Sequence, residues 1–162
     1  MINKYIVPGT KPALSQLFLI QTGNKEDYME KIIWNESFSV GIPLLDSQHM
    51  ELIRIINKMI DAKDVKVGSE TISEILLSMT NYAMFHFKTE EDFLREHGYP
   101  EFESHKKEHT GFRKQTLSFC MDTMDNKDTI PEEILSFLKD WLLHHILVSD
   151  MQYKEFFKSK GV

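Results

Sequence analysis

Cysteine is almost absent from this chain, because Cys120 is the only one among 162 residues. A single thiol forms no internal disulfide and builds no metal site of several thiolates, so a reducing, cytoplasmic location is predicted. No apolar run approaches the roughly 18 residues that a membrane-spanning helix needs. Pro8, Gly9 and Pro12 interrupt the region where a signal peptide would lie. We therefore expect no membrane partner.

Basic residues, proline and glycine are also scarce. The 19 Lys and Arg residues are outnumbered by 25 Asp and Glu residues, which gives a net charge of −6 and argues against a nucleic-acid partner. Only five prolines and seven glycines occur, mostly between segments with a regular apolar pattern. This distribution favours long helices, and the length suits one domain with one core.

Apolar residues recur three and four positions apart in four segments, as in helices with one buried face. These segments run over about residues 45–62, 70–96, 101–124 and 130–158. Asp46 and Ser69 are candidate caps, and Thr129-Ile130-Pro131-Glu132 matches a capping box. Four long helices with short connections predict an all-α fold, an antiparallel up-down-up-down four-helix bundle.

An N-terminal arm should precede this bundle. Gly41 and Pro43 favour an extended chain over residues 32–45, which Trp34 and Phe38 would pack onto the core. We divide the sequence into an N-terminal extension of unknown role, residues 1–31, and a helical domain, residues 32–162.

Histidine and carboxylate side chains interrupt the inward faces of all four predicted helices. His86 and Glu90 are four residues apart and so share a helix face. Antiparallel packing brings seven such residues to the same end of the bundle: His49, His86, Glu90, His105, His109, His145 and Asp150. Each would cost about 1–3 kcal/mol if it were buried without a partner. Either the histidines bond to the carboxylates or point outward, or the group binds metal.

The composition of this group favours two metal ions over one. Five histidines and two carboxylates exceed the needs of a single ion, and Glu90 and Asp150 can each bridge a pair through two oxygens. A histidine-rich site that also contains oxygen ligands suits iron, whereas zinc is more often held by four groups. Carboxylate-rich di-iron bundles use two Glu-x-x-His motifs, and this chain has none at these positions.

Four motifs, in this order, resemble those of the hemerythrin family, specifically the bacterial hemerythrins, over about residues 32–158. They are Asp46-Ser47-Gln48-His49-Met50-Glu51-Leu52, His86-Phe87-Lys88-Thr89-Glu90-Glu91, His105-Lys106-Lys107-Glu108-His109, and Trp141-Leu142-Leu143-His144-His145-Ile146-Leu147-Val148-Ser149-Asp150.

The resemblance implies two iron ions per chain and a role for each candidate ligand. His105, His109 and His145 would hold one iron, and His49 and His86 the other. Glu90, Asp150 and an oxo or hydroxo group would bridge the two ions. The second ion then keeps an open position for dioxygen, in a dry pocket lined by Leu52, Phe87, Trp141, Leu142 and Ile146.

The function implied is reversible dioxygen binding by a carrier, storage or sensor protein that is not an enzyme. One alternative is a di-iron redox enzyme, such as a peroxidase or a nitric oxide reductase or scavenger, which a polar group near the open iron would favour. Another is an iron-dependent signalling module that uses residues 1–31. We expect the protein to be a monomer or a weak homo-oligomer. We also expect the side chains of Glu91 and Glu108 to be solvated and that of His144 to be exposed.

Overall fold

The long helices lie where the apolar periodicity predicts them. The computed structural model describes residues 31–62 and 64–161. Its helices are α1 (Pro43–Asp61), α2 (Glu70–Glu96), α3 (Phe102–Met124), α4 (Ile130–Trp141), a π-helical segment (Leu142–Asp150) and α5 (Met151–Lys160). Because α4, the π-helical segment and α5 follow one another without a break, they form one long fourth helix. All four predicted helices are confirmed, with ends within two residues of those expected.

The helices form a four-sided bundle. Helix α1 packs against α2 and α4, and α3 packs against the same two neighbours. The short connections, residues 62–69, 97–101 and 125–129, join consecutive helices in antiparallel order. No strand occurs among the described residues, so the all-α bundle is confirmed. None of the described helices combines the length and apolar character needed to cross a membrane.

The helix starts agree only partly with the predicted caps. Ser69 caps α2 as predicted, since its hydroxyl accepts the Ile72 N–H at 3.3 Å. The prediction for Asp46 is wrong, because α1 already begins at Pro43. The Asp46 carboxylate instead accepts hydrogen bonds from the Val40 N–H at 2.7 Å and the Ser39 hydroxyl at 2.6 Å. It therefore fastens the arm to α1.

The predicted capping box at the start of α4 is also wrong. Thr129 has helical backbone angles, φ −81° and ψ −5°, and makes no side-chain cap bond. A capping residue normally takes an extended conformation, which aims its side-chain oxygen at the first free N–H groups. The Thr129 hydroxyl donates instead to Glu133 Oε1 at 2.6 Å.

The arm runs in front of α1 and is tied to two helices. Its backbone at Ile32 exchanges two hydrogen bonds of 2.8 Å with the Asn57 side chain. Lys154 on α5 donates to the Ser39 carbonyl at 2.6 Å. Phe38 is buried, as predicted, but it lies in a short 3₁₀ turn and not in an extended stretch. The arm ends at Ile42 rather than residue 45. Apart from Lys31, the extension predicted over residues 1–31 lies outside the described residues.

Apolar layers enclose the level of the bundle that contains the candidate ligands. One layer lies toward the start of α1 and the end of α2; its buried members are Val40, Leu45, Leu94, Tyr99, Tyr153 and Phe157. Beyond the ligands, the facing stretches of α1 and α2 bury Ile56, Met59, Ile72, Ile75 and Met79. The polar residues thus lie in a water-poor interior.

Candidate metal centre

The π-helical segment positions two of the seven candidate ligands. In an α-helix, residues five apart point about 140° away from one another, so His145 and Asp150 would not share a face. The chain over Leu142–Asp150 is wound with i→i+5 hydrogen bonding. This brings His145 Nε2 within 3.3 Å of Asp150 Oδ1. Ser149, next to Asp150, is half-exposed.

All seven candidate ligands are brought together in the core, and none is more than 4% exposed. Glu90 lies at the centre of the group. Its Oε2 is 2.9 Å from His109 Nε2, 3.2 Å from His105 Nε2 and 3.7 Å from His86 Nε2. One carboxylate oxygen on α2 is therefore surrounded by rings from its own helix and from α3.

Asp150 lies close to three histidines through both of its oxygens. Its Oδ1 is 3.3 Å from His145 Nε2 and 3.6 Å from His105 Nε2. Its Oδ2 is 3.3 Å from His49 Nε2. The two oxygens of this one carboxylate therefore face different histidines.

The ligand atoms form two groups that share Glu90. One group contains Glu90, His105, His109 and His145, and the other contains Glu90, His49 and His86. Within each group the ligand atoms lie within 4.8 Å of one another, close enough for a single metal ion. The structure thus contains a three-histidine half and a two-histidine half on one carboxylate.

Unpartnered polar atoms show that this group suits a cation. Six buried atoms of the ligand residues have no hydrogen-bond partner among the described residues: His49 Nδ1 and Nε2, His86 Nε2, Glu90 Oε1 and both oxygens of Asp150. Such atoms are costly in a protein interior unless something binds them. Metal ions between these residues would accept the lone pairs of the inward-facing atoms and balance the carboxylate charge, whereas His49 Nδ1 faces the Phe38 backbone.

The proton affinities favour the metal-binding form of three histidines of the site. Burial lowers the pKa of His49 and, more strongly, that of His86, and it lowers the pKa of His145 to about 4. These imidazoles are therefore neutral near pH 7 and keep the lone pair that a metal requires. His109 differs, because burial tends to lower its pKa but hydrogen bonds to Glu90 and Glu91 raise it above its ordinary value. Burial tends to raise the pKa of Glu90, but the nearby histidines, His86 foremost, hold it well below its ordinary value.

Three of the rings are oriented by side chains behind them. His109 Nδ1 is 3.0 Å from Glu91 Oε1, and His145 Nδ1 is 2.6 Å from Glu108 Oε2. His86 Nδ1 is 3.0 Å from Gln48 Oε1. When Nδ1–H donates to such an acceptor, Nε2 carries the lone pair toward the centre.

The prediction that Glu91 is solvated is therefore wrong, whereas Glu108 is exposed as predicted. Glu91 faces α3, where His109 and Arg113 both donate to it, the latter at 3.1 Å. Glu108 is partly exposed but also accepts a hydrogen bond from the Ser149 hydroxyl. Their positions directly beside Glu90 and His109 in the sequence were the available signal, as was that of Gln48 beside His49.

Comparison with known proteins agrees with this geometry. The family model described as "Hemerythrin HHE cation binding domain" matches residues 40–157, which include every candidate ligand. The chain belongs to the hemerythrin family. It is 34% identical over 125 residues to a protein named Bacteriohemerythrin from Clostridium acetobutylicum, covering 75% of this chain and 97% of that protein.

Two further relatives support the same assignment. A Bacteriohemerythrin from Stenotrophomonas maltophilia is 28% identical over 127 residues, covering 78% of this chain and 82% of the relative. A Hemerythrin-like protein from Naegleria gruberi is 32% identical over 121 residues, covering 75% and 89%. The hemerythrin domain described here thus spans most of the length of each relative.

The five predicted pocket residues of this hemerythrin domain are all buried. Phe87 stacks on the His109 ring at 4.0 Å, with 6° between the planes, and Trp141 stacks on the His145 ring at 4.0 Å. Leu52, Leu142 and Ile146 are fully enclosed. They exclude water around the ligands, and their role in binding oxygen stays a prediction.

Two tyrosines beside the centre had not been expected from the sequence. Tyr82 lies one helical turn before His86, and its ring stacks on that imidazole at 4.7 Å. Tyr153 lies three residues after Asp150, with its ring 5.7 Å from that of His105. Burial raises the pKa of both phenols well above the ordinary value.

The remaining histidine of this segment, His144, is exposed, as predicted, and its ring hydrogen-bonds to the Asp140 carbonyl.

Proposed function

We propose that this chain binds dioxygen reversibly at a centre of two bridged iron ions. The observation that carries the proposal is the pair of ligand groups that share Glu90, with the two oxygens of Asp150 turned toward different groups. Five imidazoles and two carboxylates suit iron better than a four-ligand zinc site.

In this proposal the two halves of the centre have different tasks. His105, His109 and His145 hold one ion, and His49 and His86 hold the other. Glu90 and Asp150 would be shared between the two ions. Because the two-histidine half has one protein ligand fewer, an ion held there would have room to bind dioxygen. Two ferrous ions bound here supply the electrons for reversible oxygen binding.

The surrounding residues act by orienting ligands and excluding water. Glu91, Glu108 and Gln48 hold Nδ1 of three rings and so direct Nε2 inward. Phe87 and Trp141 cover the faces of two ligand rings. A low-dielectric interior of this kind disfavours the release of charged products. This matches the needs of a carrier, storage or sensor protein.

An optical experiment with an iron count tests the proposal. The anaerobically reduced protein should contain two irons per chain and show no visible colour. Adding oxygen should produce a visible charge-transfer band that disappears when oxygen is removed. Irreversible conversion to a stable oxidised spectrum would reject oxygen carriage, and fewer than two irons after reconstitution would reject the two-ion centre.

A second candidate is a di-iron redox enzyme, such as a peroxidase or a nitric oxide reductase, on the same ligands. One observation favours it: the Tyr82 hydroxyl is a polar group buried among the rings beside His86. Catalytic consumption of hydrogen peroxide or nitric oxide by the reduced protein would establish this function. The signalling alternative depends on residues 1–31, which lie outside the described part of the chain.

A further inference from the structure

The Tyr82 hydroxyl is a buried polar group whose proton has no acceptor among the described residues. The residue is 4% exposed. An unpartnered hydroxyl in a protein interior costs about 1–3 kcal/mol. Because buried polar groups are nearly always satisfied, this exception calls for a ligand that the hydroxyl can bind.

The surroundings of Tyr82 place that hydroxyl in the predicted pocket. Its ring stacks on His86, a ligand of the two-histidine half, with 23° between the planes. It meets the edges of Phe87 at 5.4 Å and Phe112 at 5.8 Å. The buried Trp141 indole N–H lies beside the phenol and acts on it as a donor. Because an indole can only donate, the hydroxyl proton of Tyr82 still has no acceptor there. Phe87 and Trp141 are two of the five residues predicted to line the pocket.

Tyr153 shows which part of this environment is specific to Tyr82. It is also buried, and its hydroxyl likewise has no partner among the described residues. Its ring, however, lies 6.2 Å from Tyr99 and 5.7 Å from both Phe157 and His105, and the carboxylates of Asp150 and Glu90 act on its hydroxyl. It is therefore a tyrosine of similar burial that adjoins the carboxylates and not Phe87 or Trp141.

We propose that Tyr82 Oη is the hydrogen-bond donor that recognises a small ligand in the two-histidine half. The ligands it selects are molecules or anions of two or three atoms with an exposed acceptor atom. A phenol is protonated near pH 7 and so donates to such an atom. The inference rests on the proposed two-ion centre, and it makes Tyr82 a specificity-determining residue of that centre.

Azide is a suitable probe, because it is a triatomic anion with terminal acceptor atoms. The full chain, Tyr82→Phe and Tyr153→Phe are loaded with iron, oxidised and titrated with azide while the visible band is followed. Tyr82→Phe keeps the stacked ring and removes only the donor. We expect its azide dissociation constant to rise about tenfold, the effect of losing one hydrogen bond to a charged acceptor. Tyr153→Phe removes a hydroxyl that adjoins Asp150 and Glu90 and not the pocket, so it should raise the azide dissociation constant less than Tyr82→Phe does.

The azide stretching vibration gives a second readout that packing alone would not move. In the unaltered chain the band should shift between H₂O and D₂O, and this shift should be lost in Tyr82→Phe. Equal azide affinity and equal isotope shift in the two variants would overturn the assignment of Tyr82. A missing iron pair in the unaltered chain would instead reject the proposed centre, so the two failures are distinguishable.

Discussion

The carboxylates behind His109 and His145 should set how tightly the centre holds metal. Glu91 Oε1 lies 3.0 Å from His109 Nδ1, and Glu108 Oε2 lies 2.6 Å from His145 Nδ1. Replacing either carboxylate by its amide preserves shape and leaves an acceptor oxygen but removes the negative charge. The imidazole then becomes a weaker donor to a cation bound at Nε2.

The expected magnitudes differ because the two carboxylates differ in exposure. Loss of such a partner typically lowers metal affinity by about 10–100-fold. The Glu108 side chain is 43% exposed, so water already screens its charge, and Glu108→Gln should lie near the tenfold end. The Glu91 side chain is 11% exposed and is also paired with Arg113, so Glu91→Gln should lie near the hundredfold end.

Competition between the metal-free protein and a chromophoric chelator for Zn²⁺ measures these affinities without redox chemistry. Glu103→Gln, an exposed glutamate on α3, is the matched control and should remain within about twofold of the unaltered protein. The reasoning is refuted if both site variants bind Zn²⁺ like the control, or if Glu108→Gln loses more affinity than Glu91→Gln.

Three further predictions follow from buried residues. Leu142→Asp should admit water and speed irreversible oxidation of the oxygenated protein several-fold, which is measured as the rate at which the visible band is lost. The same change at the exposed Leu117 should leave this rate unaltered. Phe112→Ala should lower the free energy of unfolding in urea by about 3–5 kcal/mol, with the exposed Phe85→Ala as control. The pKa of His145 is about 4 in the folded protein and 6.5 ordinarily, so acidification protonates the unfolded chain first. As the pH falls from 6.5 to 4, this residue should lower the free energy of unfolding of the metal-free protein by up to about 3 kcal/mol. Thermal melts across this pH range measure the loss.

Helix ends show where local sequence suffices and where it does not. Ser69 caps α2 as predicted, because the residue preceding it, Gly68, lets the chain turn at φ +77° and leaves Ser69 extended. Asp46 and Thr129 have equally suitable side chains but do not cap. The Asp46 carboxylate accepts a hydrogen bond from Val40 in the arm, and the backbone of Thr129 is already helical. Tertiary contacts and backbone conformation therefore outweigh the preference of these residue types for capping positions.

The candidate ligands were accessible to sequence reasoning for a simple physical reason. Helical periodicity is local, and the spacing of four between His86 and Glu90, or between His105 and His109, assigns both members to one face. Antiparallel order then predicts that the four faces meet at one level. The predicted layer is present as a buried group, although binding of iron to it remains a proposal.

Sequence alone thus determined the four helices, their antiparallel order and the polar layer, since all of these depend on spacing along one chain. Tertiary structure decided the π-helical winding that turns Asp150 inward, the pairing of Glu91 with His109, and the burial of the Tyr82 hydroxyl. These features depend on how each helix is rotated against its neighbours. That rotation is a property of the packed bundle, which no single segment encodes.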